Sequence, residues 1–332
     1  MPVGPPGDVS IVVEIGYTLM CEQSPPSSLV ADAGRAEQAG FGFSVISDHY
    51  FPWLDSQGHS PNAWPVLGAV AQATSTMELM TYVTAPIIRY HPAVVAQLAA
   101  TTGLLSGGRF TLGVGAGENL NEHVVGRGWP PVNVRHEMLD EALYIIRELF
   151  GGQYVNFVGE HFRVDSGKLW DVGQPPPRIG VAVSGTQSVQ LAAAHADVLI
   201  AVEPKAELCR TFDEFGGAGK DRIGQVPICW DPDRDTAVRR AHDQFRWFGG
   251  GWKVNAELPG PTGFAAASKF VRPQDVAENI PCGPDVDEHV AAIEKFVDAG
   301  FTHVAVVQIG GDTQQDFIAW AEAELLPRFR AS

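Results

Sequence analysis

The chain has 332 residues, 45% of them hydrophobic, and a formal net charge of -16. That length buries a large core and suits either two ordinary domains or one large α/β barrel, and the charge argues against nucleic acid or an anionic membrane surface as the main partner. Cys21, Cys209, Cys229 and Cys282 are scattered with no CxxC pair, which fits reduced thiols in a cytoplasmic protein and supports neither a disulfide framework nor a zinc site.

Residues 1–10 (MPVGPPGDVS) read as a flexible tail, and the remaining 11–332 as a single catalytic domain. No basic segment precedes an apolar run, and no stretch of about 18 apolar residues occurs, so neither export nor membrane spanning is expected. Val12 to Leu19 has strand length, and Ser27 to Gly40 carries apolar residues at helical spacing between a serine and a glycine. A second strand, Phe43 to Ser47, runs into SDHYFPW before a helix from about Asn62 to Thr76. Glu78 to Ala85 is a third strand, closed by Pro86, and a helix from Pro92 to Leu105 begins with a tolerated proline.

Arg109 to Val114 is the fourth strand. It ends in GVGAGENLNEH, where glycines allow a tight backbone turn and polar side chains follow at once. The GxGxG spacing, with no strong helix before about Val134, does not match a dinucleotide fingerprint. A helix over Val134 to Phe150 precedes an insertion at about 153–172, whose alternating Val155, Phe157, Phe162 and Val164 suggest a hairpin. Strands at Ile179 to Ser184, Val198 to Val202 and Gln225 to Trp230 alternate with helices at Ser188 to His195, Lys205 to Phe215 and Arg234 to Phe248. A second insertion at about 249–283 reads as irregular, glycine- and proline-rich chain that could wall a pocket. Helix Asp287 to Gly300, strand His303 to Ile309 and helix Gln314 to Phe329 complete the series.

Eight strands alternating with helices predict an α/β fold of the (β/α)8 TIM-barrel type, with chemistry at the carboxyl ends of the strands. Glu22, Asp48, His49, Glu118 and Lys205 all fall just beyond such ends. His49 suits a base near neutral pH, against the alternative of a histidine that only fixes a loop. Trp53 could cover a ring or simply pack. Glu118 could be a buried acid with a raised pKa, and Glu22 could assist, whereas Glu122 reads as a helix-start carboxylate. His59, His91, His123, His136 and His242 form no ligand pattern and read as loop or surface residues; no metal site and no covalent nucleophile is expected.

Through SDHYFPW, RYHPAVVAQ, GVGAGENLNEH and PCGPDVDEHVAAIEKFVDAGF, the chain resembles the luciferase-like oxidoreductases, in the branch that includes deazaflavin-dependent glucose-6-phosphate dehydrogenase. The resemblance spans about Glu14 to Leu326. It implies hydride transfer with coenzyme F420, with FMN-dependent monooxygenation as the alternative, or a barrel that binds cofactor without turnover. By the same resemblance His49 is the base on a substrate hydroxyl, Glu118 the proton donor to the reduced ring, and Trp53 and Glu22 supports. Asp48, Ala85, Asn121 and the Ser184-Gly185 turn match cofactor-contacting positions, as does the backbone at Tyr82 and Val83, with a bulge and a possible non-proline cis bond.

Lys205 matches one phosphate-binding lysine of the dehydrogenase, but Ala266 and Asn279 stand where its other cationic groups fall. Lys269 and Arg272 would compensate only with the loop rearranged. Ala85 replaces a threonine. The expected substrate is therefore a small alcohol, carbonyl or imine compound without a phosphate, and the expected assembly is a homodimer.

Overall fold

The computed structural model describes residues 13–330, so the tail expected over residues 1–10 lies outside it. In chain order the elements are β1 (Glu14–Leu19), α1 (Pro26–Ala39), β2 (Phe43–Ile46), α2 (Ala63–Ala73), β3 (Glu78–Thr81), α3 (Pro92–Leu105), β4 (Phe110–Val114), α4 (Asn119–Glu122) and α5 (Val132–Phe150). There follow β5 (Val155–Val158), β6 (Arg163–Gly167), β7 (Arg178–Ala182), α6 (Thr186–His195), β8 (Val198–Ala201), α7 (Ala206–Phe212) and β9 (Asp221–Ile228). Helix α8 (Arg234–Phe245) leads to the short helices α9 (Trp252–Asn255), α10 (Pro261–Ala267) and α11 (Pro273–Ala277), then α12 (Val286–Asp298), β10 (His303–Gln308) and α13 (Gln314–Trp320).

Strands β1, β10, β9, β8, β7, β4, β3 and β2 close, in that order, into a barrel in which every pairing is parallel. The expected α/β barrel is thus the observed fold. Its strands are apolar on both faces because one face fills the barrel and the other packs on helices. Phe43, Val45, Met80, Ile200 and Ile223 form one cluster, and Tyr17, Leu112, Val181 and Val306 belong to a larger one shared with the helices. The hairpin expected in the first insertion is present as the antiparallel pair β5 and β6.

Several element boundaries differ from expectation for identifiable reasons. Strand β3 stops at Thr81 and not at Ala85, because the Thr81 hydroxyl takes up both the N–H and the C=O of Gly113, at 2.9 and 2.8 Å. The chain then bulges through Tyr82 and Val83, joined by a cis peptide bond, and Thr84 rejoins the ladder at Gly113 and Gly115. Strand β9 begins at Asp221, four residues before the apolar run, since Asp221 and Arg222 pair with Val198 and Leu199 and Asp221 accepts from Arg178. The helix from Lys205 breaks at Gly216, whose φ of 100° is left-handed.

The second insertion is not irregular throughout. Pro261 and Pro273 each sit in the first turn of a short helix, where a missing N–H costs nothing. Phe264, Val276, Trp247 and Phe245 pack with Met20, Trp53 and Leu120 into a second core over the barrel mouth. Sequence periodicity could not show this, because four- to seven-residue helices are too short to display one.

Candidate active site

Each residue singled out in the sequence, Glu22, Asp48, His49, Trp53, Tyr82, Val83, Ala85, Glu118, Asn121, Ser184, Gly185 and Lys205, lines one cavity of about 970 Å³ at the carboxyl ends of the strands. Parallel strands deliver these side chains to one end of the barrel because every strand runs the same way.

At the floor, the ring of His49 lies between two carboxylates. Its Nδ1 is 3.2 Å from Glu22 Oε1 and from the Phe51 carbonyl oxygen, and its Nε2 is 3.3 Å from Glu118 Oε2. Glu22 is almost wholly buried, and its other oxygen accepts from the Ser47 hydroxyl at 2.5 Å. Burial pushes the Glu118 carboxyl above the ordinary carboxylate range, with Glu22 adding to the rise and His49 opposing it. Asn121 donates to Glu118 Oε2 at 3.0 Å and accepts from Tyr50 N–H at 2.8 Å, so it ties the β4 loop to the loop that carries His49.

Asp48 is fixed on every side. Oδ2 accepts from the Thr84 hydroxyl at 2.7 Å, and Arg89 reaches both its Oδ1, at 3.1 Å, and its backbone oxygen, at 2.7 Å. Glu122 is the helix-start carboxylate expected, in the first turn of α4, but it does not face solvent. It is buried, accepts from Arg89 N–H at 2.6 Å, and lies 3.6 Å from the Arg89 guanidinium. Burial raises its pKa to about 7 against the pull of Arg89. Four carboxylates thus crowd around one guanidinium and one imidazole.

Trp53 does not offer both faces to a ligand. Trp247 stacks on it at 4.0 Å with 9° between planes, Phe264 meets it edge-on, and His49 is 4.9 Å away on a tilt. Two lining residues carried no signal in the sequence: Trp247, within the helix expected over Arg234 to Phe248, and His136, expected in a loop or on the surface. Arg89 opens the RYHPAVVAQ stretch, which carries no signal for its partners. At the far end of the cavity, Ser184, Gly185, Thr186 and Gln187 form the amino terminus of α6.

The wall from the second insertion is tied to the Glu118 loop. Asn119 donates through its N–H to the Ala256 oxygen at 3.0 Å and through Nδ2 to the Glu257 oxygen at 2.9 Å. The Glu257 carboxylate accepts from Arg135 and from Trp129 Nε1, both at 2.8 Å.

The family model described as luciferase-like monooxygenase matches residues 9–303. The chain is a member of that family. Among relatives of this luciferase-like chain, the F420-dependent glucose-6-phosphate dehydrogenase of Nakamurella multipartita is 35% identical, over 96% of this chain and 97% of the relative. The F420-dependent hydroxymycolic acid dehydrogenase of Mycobacterium tuberculosis is 37% identical, over 86% and 80%. A solved F420-dependent secondary alcohol dehydrogenase, in complex with an F420-acetone adduct, superimposes with a TM-score of 0.86 at 29% identity, covering 96% of this chain and 99% of the other.

The cavity of this luciferase-like barrel fits an elongated cofactor with a flat ring and an anionic end. A Cβ at Gly185 would meet nothing within 4 Å, so the backbone there stands open to a ligand. The first N–H groups of α6 have no partner within the helix and favour an anion.

Proposed function

We propose that the chain is a coenzyme F420-dependent oxidoreductase that interconverts an alcohol and a carbonyl compound, with His49 as base and Glu118 as acid. The observation that carries this reading is the His49 ring held between Glu22 and Glu118 on the floor of the cavity. When bound, F420 supplies a two-electron hydride acceptor and donor.

In the oxidation direction His49 takes the hydroxyl proton at Nε2 while the carbinol C–H bond breaks and the C=O double bond forms. Bound F420 would be the acceptor of the hydride and its electron pair. Glu22, beside Nδ1, steadies the imidazole as it becomes positively charged, in the way a buried carboxylate orients a catalytic histidine. Glu118 holds a proton to higher pH than an exposed carboxyl and would be placed to give it to the reduced ring of a bound deazaflavin. Asp48, Asn121, Ala85 and the Tyr82-Val83 bulge would hold the ring, and Ser184 and Gly185 its phosphate end. Reduction runs the same transfers backwards.

Glucose 6-phosphate fits poorly. Lys205 is engaged by Glu203 at 2.8 Å, Arg272 is committed to Asp275, and neither Lys269 nor Arg272 lines the cavity. Each missing charge-assisted contact to a dianion forgoes about 1.5–3 kcal/mol. A homodimer in the cytoplasm completes the reading; sedimentation equilibrium tests the dimer.

Titrating the purified protein with F420 and with FMN, followed by absorbance, tests the cofactor. F420 binding with turnover of an alcohol is expected. Tight FMN binding with no affinity for F420 would replace this reading with a flavin monooxygenase.

A further inference from the structure

Resting on the alcohol and carbonyl reading, we infer that the substrate carries an apolar, ring-sized substituent on its carbinol carbon, and that Trp247 is the residue that selects it. His49 fixes where the hydroxyl must lie. Met20, Trp53, Trp247, Phe248, Trp252 and Val307 line the cavity and belong to one hydrophobic cluster.

Trp53 stands 4.9 Å from the His49 ring, and Trp247 stacks 4.0 Å beyond Trp53, so a substituent on the carbinol carbon directed to this side meets indole surface within one ring width of the base. Trp247 is itself gripped by Phe245 at 5.2 Å, Phe248 at 6.0 Å and Phe264 at 6.5 Å. Its one polar atom, Nε1, donates to the Gln244 oxygen at 3.1 Å and is unavailable to a substrate hydroxyl.

A polyhydroxylated substrate would therefore leave hydroxyls unpaired against this wall, each costing about 1–3 kcal/mol. An apolar body loses nothing there and gains the buried area. The cations that line the cavity do not alter the balance on this side. Arg135 is paired with Glu257, Lys205 with Glu203, and Lys253 is exposed at the mouth. The wall is preformed, because Ala256 and Glu257 in the segment that carries Trp252 are bonded to Asn119, next to Glu118.

The test compares F420-linked oxidation of isopropanol, methylphenylcarbinol and glucose 6-phosphate by the wild type, Trp247→Ala and Trp247→Phe, with F420 affinity measured by fluorescence in each. We expect methylphenylcarbinol to exceed isopropanol in kcat/KM by roughly tenfold or more in the wild type. Trp247→Ala should lower kcat/KM for the aromatic alcohol roughly tenfold more than for isopropanol, through KM, with F420 affinity held within about threefold. Trp247→Phe, which keeps a stacked ring if alanine does not fold, should retain most of the preference.

Isopropanol equal to or better than the aromatic alcohol, or the two falling equally in the variants, overturns the inference while leaving the alcohol reading intact. Preference for glucose 6-phosphate overturns it too. F420 binding with no oxidation of either alcohol rejects the alcohol reading, and this inference with it.

Discussion

The Arg89 side chain lies against the buried carboxylate of Glu122, 3.6 Å from Nε to Oε1, while the same residue's N–H donates to the other carboxylate oxygen. Its terminal nitrogen also serves Asp48, so one cation answers two buried acids. Arg89→Met strands both, and breaking a buried pair in this way costs about 3–5 kcal/mol. Thermal or denaturant unfolding should show that loss. Above pH 7, where Glu122 is ionised beside Arg89, Arg89→Met with Glu122→Gln should recover part of it, because the carboxyl no longer has to take up a proton or stay charged; no recovery would mean that Asp48 bears the whole cost.

The same carboxylate makes stability depend on pH. Glu122 titrates near 4.5 when unfolded and near 7 in the fold, so below pH 4.5 its contribution to stability is fully present, and it is lost as pH rises through 7. Glu122→Gln should flatten the decline in unfolding free energy between those values. A wild-type curve that is already flat over that window would show that Arg89 keeps the group ionised.

His49→Ala removes the imidazole that lies within 3.5 Å of both Glu22 and Glu118. Hydride transfer should fall by about 10²–10⁴, the usual span for losing a general base, while F420 affinity stays within a few-fold. Single-turnover absorbance measurements separate the two quantities, and unchanged turnover would remove His49 from the mechanism.

Glu118 acts as an acid only while protonated. The rate should therefore fall as pH rises through its elevated pKa, above the range of an exposed carboxyl. Glu118→Gln should lower the plateau and abolish this alkaline limb. A limb that survives the substitution belongs to another group.

Much of this was legible because parallel strands impose a period and a direction. Apolar runs alternating with helices predict the barrel, and the common direction of its strands places Glu22, His49 and Glu118, each just past a carboxyl end, at one face. What lay hidden depends on contacts between segments far apart in sequence. Nothing in RYHPAVVAQ says that Arg89 will meet Asp48 and Glu122, and nothing near Trp247 says that it will stack on a residue 194 positions earlier. The second insertion looked unstructured because its helices are held by the aromatic core above the mouth and not by their own pattern.

Gly113 and Gly185 have opposite surroundings, one closed by backbone and the other open. At Gly113 a Cβ would stand 1.9 Å from the Thr81 backbone oxygen, which cannot yield without pulling β3 from β4 where the Tyr82-Val83 bulge begins. Gly113→Ala should therefore cost about 3 kcal/mol or more, read as a large fall in melting temperature or as insoluble protein. At Gly185 the backbone is extended, with φ -168°, and a Cβ would project into open cavity. Gly185→Ala should melt like the wild type yet bind F420 more weakly, because the methyl group occupies space beside the first N–H groups of α6. A Gly185→Ala protein with normal melting and undiminished F420 affinity would mean that the cofactor's anionic end lies elsewhere.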